Sequence, residues 1–270
     1  MNTFVFATDF KEGCANALSV TKLLLQKHPG SVLVLAHAIG EADTEKESLS
    51  KLTELQLQLS KEGFSSFTYA AVGGIMQVLG ECCEQYEAKM VIAGAGNYGP
   101  LAENTIGDTA ERLLQELLVP VLVVPSGSID KNMFKHITYA TDYKVADGTL
   151  VKQLIALFEP FQSQVNMLHV YTQNQSAEEE FTQMEHFQKD ITDKVTYNNL
   201  SFQIMHGDTV VDKLQEHLEM HAAGILVIST HHGHLFDKFF NDSVGRAMLI
   251  DAAVPILAFH YRKHLKPVLL

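Results

Sequence analysis

The sequence predicts an α/β fold built twice, each copy a five-stranded parallel sheet of order 3-2-1-4-5 with helices on both faces. Three observations carry this expectation. The chain repeats itself at a period near 133 residues. Within each half, short β-rich runs alternate with longer helical patterns, as right-handed βαβ crossovers require. The length of 270 residues is that of two average domains.

The repeat is visible in three blocks that keep their order. Phe4-Val5-Phe6-Ala7-Thr8-Asp9-Phe10-Lys11 returns as Ile137-Thr138-Tyr139-Ala140-Thr141-Asp142-Tyr143-Lys144. The run Val32 to His37 returns as Val165 to Val170, with His37 answered by His169. Val119-Pro120-Val121-Leu122-Val123-Val124 returns as Val254-Pro255-Ile256-Leu257-Ala258-Phe259. So long a period excludes a solenoid, and each copy is a domain of its own: residues 1–130 and 131–270, with 125–135 as the linker.

In the first copy the strands are expected near 3–8, 31–38, 64–71, 90–95 and 120–124. Helices are expected near 12–28, 43–62, 75–88 and 103–118, the last from the helical spacing of Leu113, Leu114, Leu117 and Leu118. In the second copy the strands are expected near 136–141, 164–171, 200–205, 225–230 and 254–259. Its helices are expected near 145–159, 176–195, 209–222 and 242–252. The unbroken apolar runs Val91-Ile92-Ala93 and Ile225-Leu226-Val227-Ile228 suit central strands buried on both faces. Pro120 and Pro255 stand at strand starts, where a missing N–H costs little.

Composition narrows the function. The net charge of −12 argues against nucleic acid and anionic membrane surfaces, both of which need clustered Lys and Arg. No apolar run reaches the length of a membrane helix. The N-terminal run, cut by Asp9, reads as a strand and not a signal peptide. Cys14, Cys82 and Cys83 make no disulfide framework and read as free thiols of a reducing cytoplasm.

Ligands of such sheets sit beyond the carboxyl ends of the strands. There the ordered set of elements, occurring twice, resembles the universal stress protein (UspA-like) family. The likeness rests on Thr8-Asp9 and Thr141-Asp142, the strand-two His37 and His169, the Val-Pro-Val type of strand five, and the spacing after strand four. ATP-binding members of that family carry Gly-x2-Gly-x9-Gly-Ser/Thr after strand four. Its glycines admit backbone N–H groups to the phosphates at a helix N-terminus.

The resemblance implies a nucleotide site in each copy. In the first, Asp9 would take the ribose and Ala38 would lie near the base. Gly94, Asn97 and Gly107 would surround the phosphates, with Asp108 in place of the hydroxyl residue. In the second, Asp142, Val170, Ser229, His232, Asp242 and Ser243 hold the corresponding positions. Asp108 and the trio Asn241-Asp242-Ser243 serve equally as helix N-caps, and Asp9 and Asp142 as turn caps. The first copy is the better candidate, because two of its three glycines survive. Its ligand is expected to be AMP or ATP, with AMP or adenosine favoured by the carboxylate of Asp108.

The resemblance further implies a cytoplasmic, non-enzymatic stress-response protein that needs no cofactor and acts through protein partners. In single-domain relatives the fifth strands pair between subunits, which implies an intramolecular pseudo-dimer here, with homodimerisation left open. Other readings stand beside it: a ligand-free signalling scaffold, or a nucleotide-hydrolysing or nucleotidylyl-transferring enzyme. His231-His232-Gly233-His234 looks like the His-x-Gly-His signature of the transferases but follows the wrong strand. His206, His231, His232 and His234 are candidate metal ligands on one rim, with His169 nearby. His217 and His221 stand at i, i+4 on the third helix, flanking its apolar stripe. Glu178-Glu179-Glu180 reads as a solvated helix face.

Overall fold

Strand β1 (Thr3–Ala7) is the centre from which the first sheet is built. Four of its five residues are buried, because parallel neighbours flank it and helices cover both faces. It pairs on one side with β2 (Val32–Ile39) and on the other with β4 (Met90–Gly94). Strand β3 (Ser66–Val72) lies outside β2, and β5 (Val121–Val124) lies beside β4. All pairings are parallel, so the order is β3-β2-β1-β4-β5 as expected.

The computed structural model describes residues 2–11, 13–41, 43–96, 108–127, 130–143, 148–173, 175–220, 224–229 and 254–260. The chain divides into two compact units, Met1–Ser128 and Ile129–Leu270.

The helices of the first unit are α1 (Cys14–Lys27), α2 (Glu45–Lys61), α3 (Ile75–Gln85) and α4 (Asp108–Glu116). Helix α1 packs on β4, α2 on β3, α3 on β2 and α4 on β5. Helix α2 starts where Thr44 Oγ1 accepts the N–H of Glu47 at 3.3 Å, with Glu45 and Glu47 in the first turn against the positive end of the dipole. The expected fourth helix is described only from Asp108, since 97–107 lie outside the described residues. Leu113, Leu114 and Leu117 face the core, whereas Leu118 is exposed.

The second unit repeats the plan. Its strands are β6 (His136–Ala140), β7 (Gln164–Tyr171), β8 (Leu200–His206), β9 (Ile225–Ser229) and β10 (Ile256–Phe259). They run in the order β8-β7-β6-β9-β10, all parallel. Helices α5 (Gly148–Phe158), α6 (Ala177–Thr192) and α7 (Val210–Met220) complete the described part. The helix expected near 242–252 lies outside the described residues. The prolines act alike in the two units: Pro120 O accepts from Val91 N at 2.9 Å, and Pro255 O from Leu226 N at 3.0 Å.

The stretch 125–135 is not a free linker over its whole length. Asn16 Nδ2 lies 3.3, 2.7 and 2.6 Å from the carbonyls of Pro125, Ser126 and Gly127, which fastens the exit of β5 to α1. Met133–Lys135 form a 3-10 turn, and Met133 and Phe134 are buried in the second unit. Phe134 packs on Phe161 and Phe158, with centroids 4.4 and 5.6 Å away.

Candidate functional site

The turn after β1 is built the same way in both units. Phe10 and Tyr143 hold left-handed backbone, with φ of 62° and 57°. Each N–H bonds the hydroxyl two residues back: Phe10 N to Thr8 Oγ1 at 3.0 Å, and Tyr143 N to Thr141 Oγ1 at 3.2 Å. That local bond offsets a conformation costly for a non-glycine residue. The strand-two histidine then locks the turn. His37 Nδ1 lies 2.8 Å from Thr8 O, and His169 Nδ1 lies 2.9 Å from Thr141 O. Each ring also packs on its aromatic neighbour, Phe10 at 4.6 Å and Tyr143 at 5.4 Å.

The two units then diverge. In the first, the Asp9 carboxylate is half-exposed and Phe10 is only partly buried. In the second, Asp142 and Tyr143 are both buried. The Tyr143 hydroxyl bonds Met167 O at 2.5 Å and Gln203 O at 2.8 Å, and accepts the Gln203 N–H at 3.0 Å. Burial pushes this phenol far above its usual range, against a smaller opposing effect from the Gln203 backbone bond.

The surroundings of the histidines differ as well. His169 Nε2 sits 3.0 Å from Glu180 Oε2, off the line of a hydrogen bond, and both side chains are 6% exposed. Gln175 Nε2 donates to the other oxygen of Glu180 at 2.5 Å. Glu180 is therefore not part of a solvated face; Glu178 and Glu179 are. Its counterpart in the repeat is Ser48, also buried. In the first unit the exposed Asp43 carboxylate stands 3.9 Å from His37 Nε2.

A cleft of about 720 Å³ opens at the carboxyl ends of β1, β2 and β4 in the first unit. Thr8, Asp9, Phe10, Lys11, Gly13 and Cys14 form one wall, Ala38 and Gly40 a second, and Gly94, Ala95 and Gly96 a third. Ile75 and Thr109 close it from α3 and α4. Asp9, Ala38 and Gly94 thus share this cleft. Asp108 is the first residue of α4. Asn97 and Gly107 lie outside the described residues.

Asp9 is the charged acceptor of this cleft. Its Oδ1 accepts the Lys11 N–H at 3.0 Å and the Cys14 thiol at 3.2 Å, while Lys11 Nζ stands 3.4 Å from Oδ2. Burial raises its pKa, but these bonds and the lysine charge outweigh it, so the carboxyl titrates below its ordinary value. Burial raises the Cys14 thiol; the bond to the Asp9 backbone opposes the rise, and the Asp9 carboxylate adds to it. Sequence reasoning passed over Lys11, Cys14 and Ile75. Lys11 and Lys144 lay within the repeated block and were the available signal.

Gly94 carries a packing reason beside the one expected. A Cβ there would run into the carbonyl of Gly13, with the carbonyl carbon at 2.9 Å. The glycine is needed so that the β1–α1 loop can close onto the end of β4, and this closure places Asp9.

In the second unit the described site residues are Asp142, Val170 and Ser229, all buried at the ends of β6, β7 and β9. His232, Asp242 and Ser243 lie outside the described residues, as do the metal candidates His231, His232 and His234. His206 is exposed at the end of β8, its ring 5.1 Å from that of Tyr171. His217 does not flank the apolar stripe of α7. It is buried, with Nε2 3.4 Å from Thr138 Oγ1 on β6. Among the described residues no three His, Cys, Asp or Glu side chains converge as metal ligands would. No helix among them is long and apolar enough to cross a membrane.

Solved structures share this architecture. A universal stress protein from Archaeoglobus fulgidus DSM 4304 superposes over 96% of this chain and 98% of its own, with a TM-score of 0.72 and 14% identity. A structure described as a putative universal stress protein from Pseudomonas aeruginosa UCBPP-PA14 covers 96% of this chain and 93% of its own, with a TM-score of 0.66 and 16% identity. The cytoplasmic domain of a prokaryotic cation chloride cotransporter covers 95% and 94%, with a TM-score of 0.58 and 11% identity. No family model matches the sequence, and no curated protein matches it. The chain has the universal stress protein fold, two copies in tandem.

Proposed function

We propose that this chain is a tandem universal stress protein whose first unit binds an adenine nucleotide, and that it acts through protein partners without turnover chemistry. One observation carries the proposal: the cleft at the carboxyl ends of β1, β2 and β4, with the half-exposed Asp9 carboxylate on its wall. A carboxylate held ionised by an N–H and a thiol, with its second oxygen turned toward Lys11, suits a vicinal diol such as ribose. The cleft has room for a nucleoside with its phosphates. The fold alone assigns no activity, since the same architecture serves a transporter's cytoplasmic domain.

In this reading no cofactor is required, the protein works in the cytoplasm, and Ala38 and Gly94 line the ligand. Native mass spectrometry of protein purified without added ligand tests it. A retained mass of AMP, ADP or ATP that is lost in Asp9→Ala supports the proposal. Bare protein that also fails to bind AMP in titration calorimetry rejects it. Steady release of phosphate from ATP would place the chain among the enzymes instead.

A further inference from the structure

We propose that the free edge of the first unit, strand β3 with the aromatic side chains beside it, takes an extended segment of a partner protein in which basic and aliphatic side chains alternate. The proposal is independent of the cleft.

Strand β3 ends the sheet order and, among the described residues, pairs only with β2. The bonds Leu33 N to Ser65 O at 3.1 Å and Gly73 N to Ile39 O at 3.4 Å turn the odd-numbered residues toward β2. Alternation then directs the backbone groups of Ser66, Thr68, Ala70 and Val72 outward. Ser66 O is taken by Gln56 Nε2 at 2.6 Å, which leaves the later positions for a new strand. The seven residues Ser-Phe-Thr-Tyr-Ala-Ala-Val contain no charge and no proline, so none of the usual devices that blunt an edge is present in the strand.

Side chains say what the added strand should carry. Phe67 is 51% exposed and Val72 is 75% exposed, which is much apolar surface for one edge strand. Phe67 stacks on Tyr86 with centroids 6.4 Å apart, and Tyr69 meets Tyr86 edge-on at 6.1 Å. Beside these rings lie carboxylates. Glu81 interacts with the Tyr69 hydroxyl and accepts from Gln77 Nε2 at 3.0 Å, and Glu84 and Glu87 are exposed near Tyr86. Among the described residues no cation pairs with any of the three. Main-chain bonds to β3, Lys or Arg on the face of the rings and glutamates, and aliphatic side chains on the opposite face beside Val72 therefore describe one occupant. A second copy of this chain suits the edge poorly, because a two-fold pairing would set one acidic rim against another.

The test is fluorescence anisotropy of a labelled peptide of about ten residues alternating Lys and Val, titrated with the full chain. Binding is expected at low ionic strength and should weaken as salt is added. Reversing two exposed charges, Glu84→Lys with Glu87→Lys, should weaken it by about tenfold or more. Ala70→Pro removes an outward N–H and should weaken it comparably while leaving AMP affinity unchanged. If the proline variant does not fold, the charge reversal still decides. The proposal is overturned if a Glu–Val peptide of the same length binds equally, or if the charge reversal leaves binding unchanged. It is also overturned if the chain forms a dimer in solution that Ala70→Pro disperses.

Discussion

His37 and Thr8 are joined by a bond of 2.8 Å from ring Nδ1 to main-chain carbonyl, which ties the end of β2 to the turn after β1. A carbonyl only accepts, so Nδ1 bears the proton. His169 and Thr141 repeat the bond at 2.9 Å. Replacing either histidine by alanine strips a buried carbonyl of its donor. The expected loss is about 1–3 kcal/mol. Calorimetric melting of His37→Ala and His169→Ala checks it, and an unchanged transition in both would show that the bond holds nothing.

Tyr143 offers a pH test. Its hydroxyl bridges β7 and β8 through Met167 and Gln203. Burial raises its pKa in the folded protein above the unfolded value. Such a group contributes stability that is complete below the unfolded pKa, near 10, and is lost as pH rises beyond it. Urea denaturation should therefore show Tyr143→Phe less stable at neutral pH and less sensitive between pH 9.5 and about 11 than the parent. Equal slopes for the two proteins would remove Tyr143 as a source of the alkaline loss.

The thiols should separate by location. Burial pushes Cys82 and Cys83 up to about 12, and both lie inside α3's packed face. Cys14 is part of the cleft wall. An aromatic disulfide reagent at pH 8 is expected to reach Cys14 slowly, and the other two only after denaturant is added. Saturating AMP should slow Cys14 further if the nucleotide occupies the cleft. Fast labelling of Cys82 in native protein would contradict the packing described.

Gly94→Ala should cost about 1–3 kcal/mol, because the new methyl group meets the rigid carbonyl of Gly13. Nucleotide binding should fall with it, since the same loop carries Asp9. A folded variant with full AMP affinity would separate the two roles.

Asp108 is expected to rank the ligands of the proposed site. A carboxylate about 4 Å from a phosphate repels it by roughly 1 kcal/mol in water and up to about 4 kcal/mol near a protein surface. Asp108 opens α4, whose next residue, Thr109, lines the cleft. Titration calorimetry should show Asp108→Ser improving ATP binding more than AMP binding. Unchanged or weaker ATP binding would leave Asp108 as a helix cap.

The sheet was legible because its central strands are buried on both faces and so read as apolar runs, and because the chain states the plan twice. The cleft was legible in part: Asp9, Ala38 and Gly94 do line it together. What escaped notice depends on neighbours far away in sequence. Nothing local distinguishes Glu180 from Glu179, yet α6 turns one toward His169 and the other toward solvent. His217 looked peripheral by helical spacing alone, and Thr138 on β6 gives it a buried partner. The packing of Gly13 against Gly94 is a tertiary fact that no local pattern announces.

The buried Glu180 and Ser48 occupy matching places in the two repeats, and this bears on how the duplicated halves of the gene can evolve. A gene-conversion tract that copied the second half over the first would place a carboxylate beside His37, where Asp43 already stands. The reverse tract would take from His169 the Glu180 carboxylate that faces it. Either exchange is expected to burden the recipient unit, so selection should purge recombination across these helices. The halves are then free to drift apart in sequence while keeping a common scaffold.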